Sequence, residues 1–345
     1  MSSTESGPGG SSARRPTIND VARHAGISKG TVSLALRGAP GPSAETTARV
    51  LRAAEELGYR ASRSASLLAR RRTNLLGLTL TLRNAFHAEL AEGVQAAADE
   101  AGYELVLSPV TAARAEARAV ETLLDSRCEA VLLLGPELPA ADLDDLAARV
   151  PVVVVGRAVE GVGLDVVRTS DEAGIALAVE HLVGLGHRAL AHVAAGRGPI
   201  GTARTESFRA AVRRAGVAEA SLVVEAGEFS ETAGARAGAT LLDGPVTGIV
   251  AASDRIALGV LDALGRGGRA VPDEMSVVGY DDSPWARLGH VQLTSVSQEP
   301  AEQARAAVRA AVDRLDGGPR PPRETVLRPR LVTRATSAPP PSGGR

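Results

Sequence analysis

The sequence contains very little cysteine and lysine, and it has no long apolar run. Cys128 is the only cysteine among 345 residues, which excludes an internal disulfide framework and a cysteine-based zinc cluster. It lies in CEAVLLLG, a context that predicts a buried, inert thiol. No apolar segment reaches the roughly 18 residues that a membrane-spanning helix requires, and the polar start MSSTESGPGGSSARR is unlike a targeting segment. We therefore expect a cytoplasmic protein with no membrane contact.

The charge is distributed unevenly along the chain. Lys29 is the only lysine, so the other basic residues are arginines, and the net charge is only −1. Residues 1–73 hold twelve basic and five acidic residues, a net charge of +7, so the remaining 272 residues carry −8. A basic N-terminal part on an acidic body favours binding of an anion by that N-terminal part.

Residues 17–59 have the pattern of three short helices. TINDVARHA begins with Thr17 as N-cap and Asp20 as the second member of a capping box, and SKGTVSLALRG begins with Ser28 as N-cap. TTARVLRAAEELG forms the third helix. Two helices joined by a turn at Gly26, with a third behind them, predict a helix-turn-helix whose second helix enters the DNA major groove. A small helical bundle without a DNA role is the alternative that these residues leave open.

The second predicted helix has apolar residues on two faces. Val32, Ala35 and Leu36 share the face that packs on the other helices, whereas Gly30 and Leu34 lie opposite. The outer face of a recognition helix meets base edges, so an apolar residue there is compatible with DNA contact. On the third helix we expect a buried stripe of Val50, Leu51, Ala54 and Leu57.

Residues 60–73, RASRSASLLARRRT, contain five arginines and no acidic residue. A solvated linker is the ordinary interpretation of such a run. Leu67 and Leu68 favour a hinge helix instead, in which arginines contact phosphates and a leucine wedges into the minor groove. The polar segment 1–16 offers nothing to bury, and we expect it to be disordered.

From residue 74 to 336 short apolar runs alternate with helical segments. The runs are NLLGLTLT, YELVLSPV, AVLLLG and PVVVVG, followed by RALAHVAAG, SLVVEAG, GIVAASD and MSVVGYDD. This alternation predicts an α/β body with parallel sheets in two similar halves. Ligands of such sheets bind beyond the carboxyl ends of the strands. We expect the Pro/Gly-rich segment 337–345 to be a disordered tail.

Three patterns bear on an enzymatic function. GRGPIG at 196–201 matches a dinucleotide-binding turn between a strand and a helix, although Pro199 lies inside it. GISKG at 26–30 matches a nucleophile elbow, but a helix precedes it where the elbow needs a strand. Three histidines lack the spacing of metal ligands: His181, His187 and His192. A nucleotide-dependent enzyme therefore stays open as the weaker alternative.

Together these segments resemble the LacI/GalR family of bacterial transcription regulators. The resemblance runs from Thr17 to about Thr336 and rests on TINDVARHAGISKGTVSLALRG, VLRAAEELGYR, NAFHAEL, AVEHLVGLGHR, ASDRIALGVLDAL, VPDEMSVVGYDD and LTSVSQ. It implies the α/β fold class, with an N-terminal all-α helix-turn-helix head plus a two-lobed doubly wound α/β body of periplasmic-binding-protein type. It also implies a homodimer without a cofactor that binds near-palindromic double-stranded operator DNA. The function implied is a repressor rather than an activator, controlled by a small-molecule effector, for which we expect a sugar.

The resemblance also assigns site residues. The residues expected to contact DNA are Thr17, Ser28, Lys29, Gly30, Thr31, Ser33, Leu34, Arg37 and, as the minor-groove wedge, Leu68. The residues expected to contact the effector are Thr81, Phe86, His87, Arg204, Phe229, Asp254, Asp281 and Gln298. A guanidinium and a carboxylate can together hold several hydroxyls of one polyol, which suits Arg204 with Asp281. An interlobe or surface ion pair is the alternative for these two residues.

Five positions depart from the family pattern. Leu34 stands where arginine is common and Gly30 where a larger residue is common, so the operator should differ from the usual one. Ala85, His87 and Ser253 replace a proline, an aromatic residue and an asparagine, so the effector should differ as well. No leucine heptad follows the last strand, which favours a dimer over a tetramer. A periplasmic-type sugar-binding protein is the other alternative, and a secretory signal would favour it.

Overall fold

The structure is a computed structural model, and it describes residues 16–36, 39–59, 72–159, 163–317 and 320–341. The chain divides into two compact units, Met1–Thr73 and Asn74–Arg345, at the residue where the sequence pattern changes. We call these units the head and the body. Among the described residues, no helix is both long and apolar enough to cross a membrane.

The described part of the head contains three helices: α1 (Ile18–Ala25), α2 (Lys29–Leu36) and α3 (Ala44–Glu56). At the start of α1, Asp20 Oδ2 accepts hydrogen bonds from the backbone N–H of Thr17 at 2.8 Å and from its hydroxyl at 2.6 Å. Gly26 follows α1 with φ of 63°, a left-handed conformation that glycine adopts without strain. At the start of α2, Ser28 Oγ accepts from the Thr31 N–H at 3.2 Å. The caps expected from the sequence therefore form.

The head buries a small apolar core, and one prediction about it is wrong. The buried residues of this core are Val21, Ala25, Val32, Ala35, Val50, Ala53 and Ala54. Leu51, expected in the buried stripe of α3, is 52% exposed. Residues three and four apart share a helix face, so Val50 is joined on its face by Ala53 and Ala54, whereas Leu51 is rotated away.

The body has two lobes. The first lobe begins with these elements: β1 (Leu75–Thr81), α4 (Ala85–Glu100), β2 (Glu104–Val110), α5 (Glu116–Asp125), β3 (Ala130–Leu134), α6 (Ala140–Ala147), β4 (Val152–Val155) and β5 (Asp165–Thr169). The second lobe continues with α7 (Asp171–Leu185), β6 (Leu190–Ala194), α8 (Pro199–Arg214), β7 (Leu222–Glu225), α9 (Glu231–Ala239), β8 (Gly248–Ala251), α10 (Asp254–Arg266), β9 (Ser276–Asp281) and β10 (Thr294–Ser297). The described chain ends with α11 (Pro300–Gly317), β11 (Glu324–Leu327) and β12 (Arg330–Val332).

The two sheets have the same winding. The first has strand order β11-β5-β4-β3-β1-β2, and the second has β12-β10-β9-β8-β6-β7. Among the strands that the structure describes, neighbours are parallel except β10 with β12. Helices α4 and α11 pack on one face of the first sheet and α5 and α6 on the other, while α9 with α10 and α7 with α8 cover the second sheet. Because both faces are covered, central strands such as β3 and β4 are entirely buried and apolar.

In the described part of the body, the chain passes between the lobes three times: after β5, after β10 and after β11. Two of these crossings are bonded to each other. Thr169 Oγ1 donates to the Gln298 carbonyl oxygen at 2.7 Å, and Gln303 Nε2 donates to the same oxygen at 2.8 Å. An ion pair between Glu89 and Arg287, at 3.0 Å, also connects the lobes.

The C-terminal segment differs from our expectation. The sequence predicts disorder from residue 337, but the residues described up to 341 contact the second lobe. Ser337 Oγ hydrogen-bonds with His181 Nε2 at 2.9 Å, and the Ala338 N–H donates to Ser276 Oγ at 3.0 Å. His187, 1% exposed, hydrogen-bonds with the Ala338 carbonyl at 2.9 Å. These polar anchors lie in the body, so the tail's Pro/Gly-rich composition does not reveal them.

Candidate functional site

The carboxyl ends of both sheets border one cavity of about 480 Å³ between the two lobes. The lining residues lie at strand ends or in the loops and first two helical turns that follow them, as expected for open α/β sheets. The first lobe contributes Thr81, Asn84, Phe86, His87, Leu90, Gly135, Pro136, Glu137, Val155 and Gly156. The second lobe and the crossing after β10 contribute Ala195, Arg197, Gly198, Pro199, Ile200, Arg204, Gly227, Glu228, Phe229, Ser253, Arg255, Asp281 and Gln298.

Arg204, on α8, is the most strongly held cation of this cavity and is 3% exposed. Its Nε donates to Asp171 Oδ1 at 2.8 Å, and its Nη1 donates to the Ala252 carbonyl oxygen at 2.6 Å. Its guanidinium carbon lies 3.8 Å from the centroid of the Tyr280 ring, which is a cation–π contact. Burial acts to lower the pKa of Arg204, but the charges of Asp171, Tyr280 and Asp281 outweigh it and raise that pKa. The side chain is therefore a fixed, charged part of the cavity floor.

The predicted pair of Arg204 and Asp281 forms, but it is the weaker of two contacts. Asp281 Oδ1 lies 3.7 Å from Arg204 Nη1, whereas Asp171 is within hydrogen-bond distance. All three residues belong to the second lobe and are buried, so the pair is neither an interlobe nor a surface ion pair. Asp171 is in the first turn of α7, where a carboxylate is ordinary, and so the sequence did not single it out.

Asp281 ends β9 in a strained conformation. Its φ is 118°, in a region that residues with a side chain rarely adopt, and such strain is often found at functional sites. Asp281 Oδ1 accepts a hydrogen bond from Gln298 Nε2 at 2.7 Å. Burial raises the pKa of the Asp281 carboxyl, although the nearby charge of Arg204 acts against this rise. Gln298 thus joins the cavity floor to the crossing after β10.

His87 and Phe86 form the wall from the first lobe. Asn84 Oδ1 accepts from the Phe86 N–H at 3.1 Å and begins α4, which directs both rings toward the cavity. His87 Nδ1 accepts from the Thr81 N–H at 3.0 Å, so the remaining ring proton belongs on Nε2. Burial, with the charge of Arg255, lowers the pKa of His87 to about 4. His87 therefore presents a neutral N–H donor near pH 7.

Two side chains that do not line the cavity hold the loop of residues 135–138 in place. Arg157, 8% exposed, donates to the carbonyl oxygens of Pro136 at 2.5 Å and of Leu138 at 2.9 Å. Glu116 Oε2 accepts from the backbone N–H groups of Glu137 at 2.9 Å and Leu138 at 3.2 Å. Two side chains of opposite charge thus satisfy both kinds of backbone group and hold this part of the rim in place.

Asp254 does not line the cavity, and its predicted placement there is wrong. It is 0% exposed, its Oδ2 accepts from the Ser283 N–H at 2.7 Å, and its Oδ1 accepts from Ser295 Oγ at 2.6 Å. Its role is to hold the segment after β9 against β10. Its neighbours Ser253 and Arg255 line the cavity instead, because one residue along a helix start turns the side chain by about 100°.

The cavity brings together seven of the eight predicted effector positions: Thr81, Phe86, His87, Arg204, Phe229, Asp281 and Gln298. Sequence reasoning missed Arg255, which pairs with Glu231 through contacts of 2.9 and 3.1 Å. It also missed the charged rim residues Glu137, Arg197 and Glu228. Arg197 lies within GRGPIG, the turn that does follow β6 and precede α8, so that motif gave a usable indication of a site. The other rim residues have no local pattern.

The head presents a separate exposed surface on α2. Ser28, Lys29 and Gly30 are exposed, and Thr31, Ser33 and Leu34 are partly buried. Leu34 Cδ1 lies beside Gly41, at 3.8 Å from where a Cβ on that glycine would be. Leu34 therefore contacts the α2–α3 loop with part of its side chain and leaves the rest accessible. Thr17, the N-cap of α1, is partly buried, and its hydroxyl donates to Asp20 Oδ2. The remaining two predicted DNA contacts, Arg37 and Leu68, lie outside the described residues, as does most of the expected hinge helix.

Known proteins are similar to this chain in both the head and the body. The model of the family described as "Bacterial regulatory proteins, lacI family" matches residues 17–62, and that of "Periplasmic binding protein-like domain" matches residues 179–337. A LacI transcriptional regulator from a Rhodococcus species is 46% identical, with a TM-score of 0.74 over 77% of this chain and 98% of that chain. A complex of the transcriptional regulator CelR with cellobiose is 31% identical, with a TM-score of 0.68 over 93% of this chain and 100% of that one. The lac repressor dimer bound to operator and the anti-inducer ONPF is 27% identical, with a TM-score of 0.81 over 94% of this chain and 100% of that one.

A helix-turn-helix head and a two-lobed body with a ligand cleft define a DNA-binding transcription regulator rather than an enzyme. The chain belongs to the LacI family of bacterial regulatory proteins. The predicted family and fold class are thereby confirmed.

Proposed function

We propose that this regulator binds a sugar in the cleft of the body and that the occupied cleft changes the affinity of the head for operator DNA. The observation that carries this proposal is the composition of the cavity, which combines two phenylalanine rings with hydrogen-bonding groups from both lobes. A sugar offers apolar C–H faces and hydroxyls that both donate and accept, and such a mixture of groups suits it. The cellobiose complex of CelR supports this assignment.

In this proposal each side of the cleft has its own task. Phe86 and Phe229 pack on the sugar ring, while Thr81 and His87 bond hydroxyls from the first lobe. Arg204, Asp281 and Gln298 bond hydroxyls from the second lobe and the crossing. Ser253 and Arg255 take the place predicted for Asp254, because they line the cavity and Asp254 does not.

The head would bind DNA through α2 in the major groove. Lys29, Gly30, Thr31, Ser33 and Leu34 would meet bases and backbone, with Thr17, Ser28 and Arg37 on phosphates and Leu68 in the minor groove. A homodimer would place two heads on a near-palindromic operator, and the lac repressor likewise binds its operator as a dimer. We propose a repressor that acts in the cytoplasm, where bacterial DNA is.

The coupling would be thermodynamic linkage. DNA prefers one arrangement of the two lobes and the sugar prefers another, so each ligand shifts the equilibrium by its difference in affinity between the two arrangements. The bonded crossings at Thr169, Gln298 and Gln303 join the cavity to the points about which the lobes would move.

Selection of bound sequences from a random DNA pool, repeated with a panel of sugars, tests this function on the full chain. We expect a near-palindromic site to be enriched without sugar, and at least one sugar to lower its recovery. The variant Gln298→Ala should enrich the same site and lose the response to that sugar. Enrichment of no site, or a recovery that no sugar changes, would count against the proposal.

A further inference from the structure

The two guanidinium groups on the cavity floor are already paired with carboxylates. Arg204 has Asp171 at 2.8 Å and Asp281 at 3.7 Å, and Arg255 has both oxygens of Glu231 at 2.9 and 3.1 Å. A phosphate or carboxylate on a ligand would have to compete with these partners for the guanidinium N–H groups. The Arg204–Asp171 pair is buried, so separating it has a high free-energy cost. The Arg255–Glu231 pair is more exposed, with Glu231 41% exposed, and its separation costs less.

His87 supplies no positive charge either. Its Nδ1 accepts from the Thr81 N–H, and its Nε2 lies at the cavity wall, 3.7 Å from where a Cβ on Gly135 would be. Its pKa is lowered to about 4 by burial and by the charge of Arg255. The ring is therefore a neutral donor, suited to a hydroxyl or ether oxygen.

The rim adds more negative than positive charge. Glu137 and Glu228 are exposed there, against Arg197. Counting Asp171 and Glu231 behind the floor, three guanidinium groups meet five carboxylates, and protonation of Asp281 removes one of the five. Arg83 also acts on Glu231 from the first lobe, which adds one positive charge. The net charge of these groups is therefore zero or negative, whether or not Asp281 is protonated.

One feature of the cavity attracts anions, but a carboxylate of the protein already lies beside it. The N-terminus of α8 borders the cavity without a side-chain cap, and a helix N-terminus carries partial positive charge. Pro199 is its first residue and has no N–H to donate. Glu137 Oε1 lies beside it, 3.6 Å from where a Cβ on Gly198 would be. An anionic ligand would have to displace this carboxylate.

We infer that the cleft takes an uncharged polyhydroxy compound and rejects phosphorylated and carboxylated sugars, and that Glu137 contributes to the rejection. This inference rests on the proposed function, since it concerns the ligand of the same cleft. The cavity groups that can bond a ligand are both donors and acceptors: the N–H of His87 Nε2, Arg204 Nη2, the Thr81 hydroxyl, Gln298 Oε1 and Asp281 Oδ2. Hydroxyl groups match both kinds, whereas an ionised phosphate or carboxylate group in the place of a hydroxyl offers only acceptors.

Isothermal titration calorimetry on the full-length protein with matched ligands tests the inference. Glucose is measured beside glucose 6-phosphate and glucuronate, galactose beside galactose 1-phosphate, and cellobiose beside cellobiose 6-phosphate. We expect the neutral member of any pair that binds to do so at least about 30-fold more tightly, the factor that one unpaired like charge gives at roughly 8 Å and an effective dielectric constant near 20. In Glu137→Gln the ratio between neutral and anionic members should fall several-fold. Asp262→Asn, an exposed carboxylate on α10 away from the cavity lining, should leave it unchanged.

The outcomes separate the two proposals. An anionic sugar that binds as tightly as its neutral partner, or more tightly, overturns the inference about ligand charge and leaves the cleft as a sugar site. Failure of every sugar, neutral or anionic, to bind overturns the proposed function and the inference with it. A ratio that is the same in Glu137→Gln and in Asp262→Asn overturns the part assigned to Glu137.

Discussion

The recognition surface of the head and the cleft of the body are built in opposite ways. On the head, the candidate contacts from Ser28 to Leu34 follow one another on a single short helix, and several are exposed. In the cleft, the residues come from strand ends as far apart as Thr81 and Gln298, and the central ones are buried and bonded to each other. A substitution on the head should therefore change recognition without changing stability. In the cleft the two properties should change together.

The largest expected effect is on the stability of the body. Arg204→Ala leaves Asp171 and Asp281 buried without their cation, and we expect the free energy of unfolding to fall by about 3 to 5 kcal/mol. Arg214→Ala is the matched control on the same helix, because Arg214 pairs with Glu172 on the surface, where both side chains are more than half exposed. Its loss should stay below about 1 kcal/mol.

Urea unfolding followed by the fluorescence of Trp285, the only tryptophan, reports on the body. If Arg204→Ala and Arg214→Ala lowered the free energy of unfolding by the same small amount, the buried ion pairs of the cavity floor would be no more important for stability than a surface pair.

The second expected effect concerns Leu68, a residue outside the described part of the chain. If it wedges into the minor groove, Leu68→Ala should weaken binding to the selected operator by on the order of 1 to 3 kcal/mol. Binding to unrelated DNA should hardly change, because phosphate contacts dominate it. Fluorescence anisotropy on both DNAs measures the two affinities at one salt concentration. Equal losses on both would argue against a wedge.

The third expected effect is a change in sequence preference through Leu34. A leucine can contact a thymine methyl but cannot form the bidentate hydrogen bonds by which arginine reads guanine. Leu34→Arg should therefore shift the selected sequences toward G·C at one symmetric pair of positions, by about 1 to 3 kcal/mol, and leave stability unchanged. The competing role for Leu34 is packing alone, because it also lies beside Gly41. Selected sequences that stay the same at every position would establish that role.

The fourth expected effect is a pH dependence from His87. The pKa of His87 is lowered to about 4 in the folded protein, whereas its usual value is about 6.5. The unfolded state therefore takes up the proton first, so the contribution of His87 to stability is complete above pH 6.5 and is lost as the pH falls from 6.5 toward 4. The difference in unfolding free energy between the wild type and His87→Asn should shrink over that range. A difference that does not change with pH would contradict a neutral, buried ring.

The same contrast explains what the sequence could reveal. Caps and turns of the head are local, so Thr17, Gly26 and Ser28 were predicted correctly. Strand β5 was not predicted because it contains Asp165, and a buried strand rarely contains a charged residue. Arg314 from α11 compensates this charge at 2.7 Å, but the two residues are far apart in the chain. Strands β10 to β12 are short, and TSVS in β10 is mostly polar although buried. Asp171 and Arg255 belong to the site because of tertiary contacts, and these cannot be predicted from the periodicity of the sequence.

The central claim is that a sugar in the body's cleft controls DNA binding by the head. Its most direct measurement is the Kd of the selected operator, by fluorescence anisotropy, without sugar and with the tightest sugar at saturation. Linkage predicts a change on the order of 5- to 150-fold, and the same factor when the Kd of the sugar is measured with and without operator. Gln298→Ala should keep the sugar-free operator Kd and lose the change. An operator Kd that is the same with and without saturating sugar in the wild type would contradict the account.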